Sequence, residues 1–114
     1  MTEKQIAALD WAAKLMGYGT KILKDGTIWY YSTDHWICWK SNGKNPLTDA
    51  HLLAEVRAKF LEKFPHLEME ILHFIKIGKP ITIAKIGTLQ GYQSKGESEN
   101  PLEAELMAMF EASK

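Results

Sequence analysis

The sequence predicts an α+β domain in helix–β–helix–β–helix order, with three helices on an antiparallel or mixed sheet. Three segments repeat apolar residues at helical spacing and carry their own start and stop signals. Between them lie two regions of strand-type sequence punctuated by turn residues. The first of these is apolar on both sides, which predicts a sheet covered on both faces, by helices or by a neighbouring subunit. At 114 residues, 46% hydrophobic and 25% charged, the chain is expected to form a single domain, residues 1–114.

The first helix is expected from Glu3 to about Met16. Thr2 and Gln5 have capping-box spacing, Gly17 is the stop, and Ile6, Leu9, Ala13 and Met16 form the buried stripe. Trp11 falls off that stripe, as a packed boundary residue or a contact for another subunit. Thr20 to Lys24 reads as a strand, Asp25-Gly26 as a hairpin turn and Thr27 to Tyr31 as the returning strand. Ser32-Thr33-Asp34 forms a second turn, and His35 to Lys40 a third strand. Trp29 and Tyr31 then share one face, and Ile28 and Tyr30 the other.

The second helix runs from about Pro46 or Asp49 to Phe64, with Asn45 or Thr48 as N-cap. Leu53, Val56, Phe60 and Phe64 form its apolar face, with His51, Glu55, Lys59 and Glu62 on the wet one. His66 to Ile77 and Ile81 to Ile86 read as strands around the breaker Gly78-Lys79-Pro80, with Leu89 to Gln93 as a further short one. Lys95 to Glu99 reads as a mobile loop. The third helix opens at Asn100-Pro101-Leu102, with Glu103 completing a capping box and Leu102, Leu106, Met109 and Phe110 packing. Asn-Pro-Leu thus opens two helices, the same capping solution used twice.

Composition bounds the function. Net charge is zero and the pI near 6.9, which argues against a nucleic-acid binder. Cys38, the sole cysteine, leaves no intrachain disulfide and no thiolate zinc site, and reads as a small packed hydrophobe. The polar N-terminus lacks a signal-peptide core and the apolar runs are too short to span a membrane, so the expected setting is cytoplasmic, with no membrane partner.

Leu15-Met16-Gly17-Tyr18 closing the first helix, the tryptophan-bearing strands, Asn45-Pro46-Leu47-Thr48-Asp49-Ala50 and the tail from Gly96 to Ala112 together resemble the phage ABA-sandwich domain family and related small phage and prophage proteins. The strand region Leu67 to Ile86 departs from that pattern. The resemblance implies a phage-encoded accessory protein acting in the host cytoplasm, and transfers no activity residue by residue.

No catalytic signature stands out. The four histidines show no HxH, HxxxH or HExxH spacing, so no metal and no cofactor is expected. Ser32-Thr33-Asp34-His35 offers a hydroxyl, a carboxylate and an imidazole, but adjacent turn residues rarely converge on one point, and a small hydrolase using His35 and Asp34 ranks last. Thr88, Gln90, Gln93, Ser94 and Lys95 offer a weak phosphate-binding loop.

The sharper candidates are rings and one cation. Trp29 to Trp39 holds three of the four tryptophans, two tyrosines and a histidine. Arg57, the sole arginine, shares a helix side with Leu53, Phe60 and Phe64. It is expected to snorkel, to pair with Glu68 or Glu70, or to serve as a fixed cation for a phosphate, a carboxylate or a stacked base. The expected function is a non-enzymatic binding protein that sequesters or masks a host protein or a small nucleotide-like ligand. Arg57, Trp36, Tyr31, His35 and Lys95 would bind, and the chain would form a homo-oligomer. The alternative is an assembly accessory protein whose aromatic face serves self-association.

Overall fold

The computed structural model describes residues 1–114 as α1 (Glu3–Met16), β1 (Gly19–Ile22), β2 (Ile28–Tyr31), β3 (Ile37–Lys40), α2 (Ala50–Lys63), β4 (Glu68–Lys76), β5 (Lys79–Thr88), β6 (Gly91–Ser98) and α3 (Pro101–Ala112). The class is α+β in the expected helix–strand order. The strands form two separate antiparallel sheets, β1-β2-β3 and β4-β5-β6. No helix is long and apolar enough to cross a membrane.

The first helix starts as its sequence dictates. Thr2 accepts from the Gln5 amide, Gln5 Oε1 accepts from the Thr2 amide, and Gly17 ends the helix at φ 81°. Its buried residues are Ala8, Leu9, Ala12 and Ala13, a shorter stripe of smaller side chains than expected, with Ile6 and Met16 at its margin. The three helices pack against one another. Trp11 packs where they meet, against Phe60 of α2 at 6.1 Å and Phe110 of α3 at 6.0 Å.

The first sheet leans on α1. Ile28, Tyr30 and Trp39 are buried, and the Tyr30 hydroxyl donates to Asp10 Oδ1 at 2.7 Å. Trp29 and Tyr31 take the opposite, half-buried face.

The second sheet rests on α3. Ser94 Oγ donates to the Ala108 carbonyl at 2.7 Å, and a Cβ on Gly96 would lie 2.0 Å from the Ala104 carbonyl oxygen. Helix and strand meet there at backbone contact, which only glycine permits. Lys95 to Glu99, expected as a mobile loop, is therefore mostly strand. Its inward side is serine and glycine rather than apolar, so the hydrophobic alternation that marks a strand is missing. The face carrying Leu72, Phe74, Ile81 and Ile83 has no helix over it, so this chain covers one face of the second sheet.

Two capping expectations change. Asp49 caps α2, accepting from the His51 and Leu52 amides, while Asn45 is wholly buried and organises the preceding loop. Its Nδ2 bonds the Lys40 carbonyl at 2.9 Å and its Oδ1 accepts from the Leu47 amide at 2.8 Å. Asn100 does cap α3, but Glu103 completes no box. Glu103 Oε2 instead accepts from Gln5 Nε2 and Ser98 Oγ. The two Asn-Pro-Leu segments touch, Asn100 Nδ2 donating to the Leu47 carbonyl at 3.0 Å.

Candidate functional site

The residues singled out in the sequence fall on three separate parts of the molecule. Tyr31, His35 and Trp36 gather at the β2–β3 turn. Ser32 Oγ accepts from the Trp36 amide, and the Trp36 carbonyl accepts from the Ser32 amide at 2.8 Å. These bonds close the turn and place His35 in the left-handed region at φ 65°. The His35 ring stacks on Tyr31 at 6.1 Å and 26° between planes. Trp36 projects beyond them, 75% exposed, beside exposed Ile37. The Ser-Thr-Asp-His run thus serves the turn, its serine hydroxyl holding backbone.

Arg57 lies on α2 facing α3. Its Nε donates to Glu105 Oε1 on α3, replacing the expected pairing with Glu68 or Glu70. Glu105 is only 4% exposed, and the carboxylate, with burial opposing, holds the guanidinium above its ordinary pKa. Glu105 was not legible as a partner, because a charged residue inside a run of helical apolar residues carries no local signal of what it meets. Beside Arg57 opens a groove of about 680 Å³ lined also by Leu61, Leu67, Glu68, Met69 and Ile71.

Lys95 stands elsewhere. Its neighbours Ser94 and Gly96 face α3, so Lys95 points to the opposite side of the second sheet, opposite Lys85. The phosphate-loop expectation meets the same alternation: Gln93 and Lys95 take one face of β6, and the Ser94 hydroxyl is held by Ala108. Arg57 and Lys95 therefore do not converge with the aromatic turn.

One surface had no functional reading in the sequence. β4 is an edge strand, and from Glu70 to Pro80 every residue is exposed. Ile71, Leu72, Phe74, Ile75 and Ile77 are all exposed apolar side chains along it, and Ile75 and Ile77 reach 76% and 95%. A long apolar edge is a pairing template that proteins ordinarily blunt. The available signal was the apolar run on both alternating sets of 71–75. No group of three or more histidine, cysteine or acidic side chains is arranged to hold a metal ion. No protein-family model, no curated protein and no solved structure matches this chain.

Proposed function

We propose that the chain is a non-enzymatic accessory protein of the phage type that binds and masks a host protein. The resemblance of its helix closures and tail to small phage proteins supports the biological setting. The observation that carries the binding reading is the β2–β3 turn, where Trp36 is held outward from a hydrogen-bonded frame with Tyr31 stacked on His35. Indole and phenol rings fixed on a short turn lose little entropy on contact and are the residue types that anchor interfaces. A protein target fits better than a nucleotide-like one, since Arg57 and Lys95 lie apart from these rings. An assembly accessory protein whose aromatic face serves self-association is the competing reading.

Side-by-side capture from host extract with the wild type and Trp36→Ala tests this. A protein retained by the first and released by the second, with affinity down about thirtyfold or more, is the expected result. Equal retention by both removes Trp36 from the interface. A wild type that is oligomeric and a Trp36→Ala variant that is monomeric would instead favour self-association through the aromatic face. Tryptophan fluorescence against a panel of nucleotides checks the small-ligand version, and a saturating quench there would overturn the protein-target reading.

A further inference from the structure

We propose that β4 pairs antiparallel with β4 of a second copy of this chain about a two-fold axis at His73. This surface is distinct from the Trp36 turn and does not depend on its role. Lys76 and Lys79 close a two-residue turn, Ile77-Gly78, with φ of 52° and 75°. In such hairpins the closing pair is hydrogen-bonded, so the even-numbered residues of β4 bond β5. Odd-numbered residues 69 to 75 then direct their amides and carbonyls to the open edge.

Antiparallel self-pairing at His73 makes this edge complementary to itself. Ile71 meets the second copy's Ile75, Leu72 meets its Phe74, and Glu70 meets its Lys76. Shifting the axis to Leu72 would oppose Ile71 to His73 and Glu70 to Phe74, so charge and hydrophobicity choose between the registers. The three-dimensional fit follows the same symmetry. Met69 and Ile71 line the groove beside Arg57 at one end of the strand, and exposed Ile75 and Ile77 project at the other. Two-fold pairing carries Ile77 of each copy to Met69 of the other, so each groove receives the apolar end that its partner cannot bury alone. Ile77 is a β-branched residue in the left-handed region and almost wholly exposed, a position that local turn chemistry would give to Asn or Gly. The opposite edge, β6, alternates serine and glycine with Lys95 and Glu97 and offers no such apolar strip, so pairing closes at two chains.

Light scattering on the eluting full chain reads the proposal directly. The expected mass is twice 13.0 kDa. Ile75→Lys is expected to weaken association by about thirtyfold or more with unchanged circular dichroism, while Trp36→Ala leaves the dimer intact. In a Cys38→Ser background, His73→Cys is expected to join two chains by an oxidised disulfide, and Leu72→Cys to remain unlinked. A monomer at every concentration, an assembly larger than two, a dimer indifferent to Ile75→Lys, or one dissolved by Trp36→Ala overturns the proposal. Linking at Leu72→Cys in place of His73→Cys overturns the register.

Discussion

Arg57 on α2 and Glu105 on α3 form an ion pair whose acidic partner is almost entirely buried and whose basic partner keeps over a third of its side chain in water. The pair fastens two helices that the first helix packs against, and α3 of the two also carries the second sheet. It gives Arg57 a counter-charge within the fold.

Arg57→Ala is therefore expected to destabilise the fold by about 2 kcal/mol, less than a fully buried pair because the guanidinium is partly hydrated. Replacing both, Arg57→Met with Glu105→Leu, is expected to recover most of that loss, since no buried carboxylate is then left alone. Urea unfolding of the single and double variants measures the difference. A double variant as unstable as Arg57→Ala would show that helix packing, not charge, sets the cost.

Gly96→Ala is expected to cost about 3 kcal/mol or more, because its Cβ would meet the Ala104 carbonyl and the Ala108 amide of α3. Thermal unfolding reads this, and Lys95→Ala, on the opposite face, is the control expected to change stability little. A Gly96→Ala protein as stable as the wild type would mean that α3 can lift from the strand.

These two sites mark what the sequence made legible and what it did not. The helix ends were readable because Thr2, Gln5, Gly17, Asn100 and Pro101 act on backbone groups within a few residues of themselves. The turn at Ser32-Thr33-Asp34 was readable for the same reason, but His35 and Trp36, expected to open the third strand, belong to that turn, and β3 starts at Ile37. Asn45 misled because its cap-like sequence serves carbonyls from Lys40 to Gly43 instead of a helix start. β6 and Glu105 were hidden because each is defined by α3 or α2 passing at close range, a relationship of distant segments. The open edge of β4 depended on which strands became neighbours, and two sheets instead of one left it bare.

Alkaline pH is expected to unfold the protein starting near the ordinary tyrosine range. Burial raises Tyr18 to about 12, helped by its contact with Cys38, and burial with the bond to Asp10 pushes Tyr30 higher still. From about pH 10 the unfolded chain loses these phenolic protons while the native chain keeps them, so stability falls as pH rises. For Tyr18 the fall continues to about pH 12, where its native hydroxyl also ionises. Tyr30→Phe is expected to flatten this decline while lowering stability at neutral pH by about 1.5 kcal/mol, through the lost bond to Asp10. Denaturant midpoints across pH 7 to 12 check both, and an unchanged alkaline slope would remove Tyr30 as a cause.

The hairpin tip separates stability from association most sharply. Ile77 occupies the first central position of a turn with both φ values positive, where a β-branched side chain is strained and Asn is favoured. Its side chain meets nearly nothing within its own chain, so the strain has no intramolecular return. Ile77→Asn is thus expected to stabilise the monomer by about 1 kcal/mol by relieving the left-handed residue. The same substitution withdraws the apolar group that the proposed two-fold places over the second copy's Met69, and is expected to weaken dimerisation about tenfold. Unfolding measured below the dissociation range, beside light scattering above it, resolves the two effects. Opposite signs in the two measurements mean that the residue is kept for the interface at the expense of the turn. A variant that gains stability in both would return Ile77 to a turn residue without a partner.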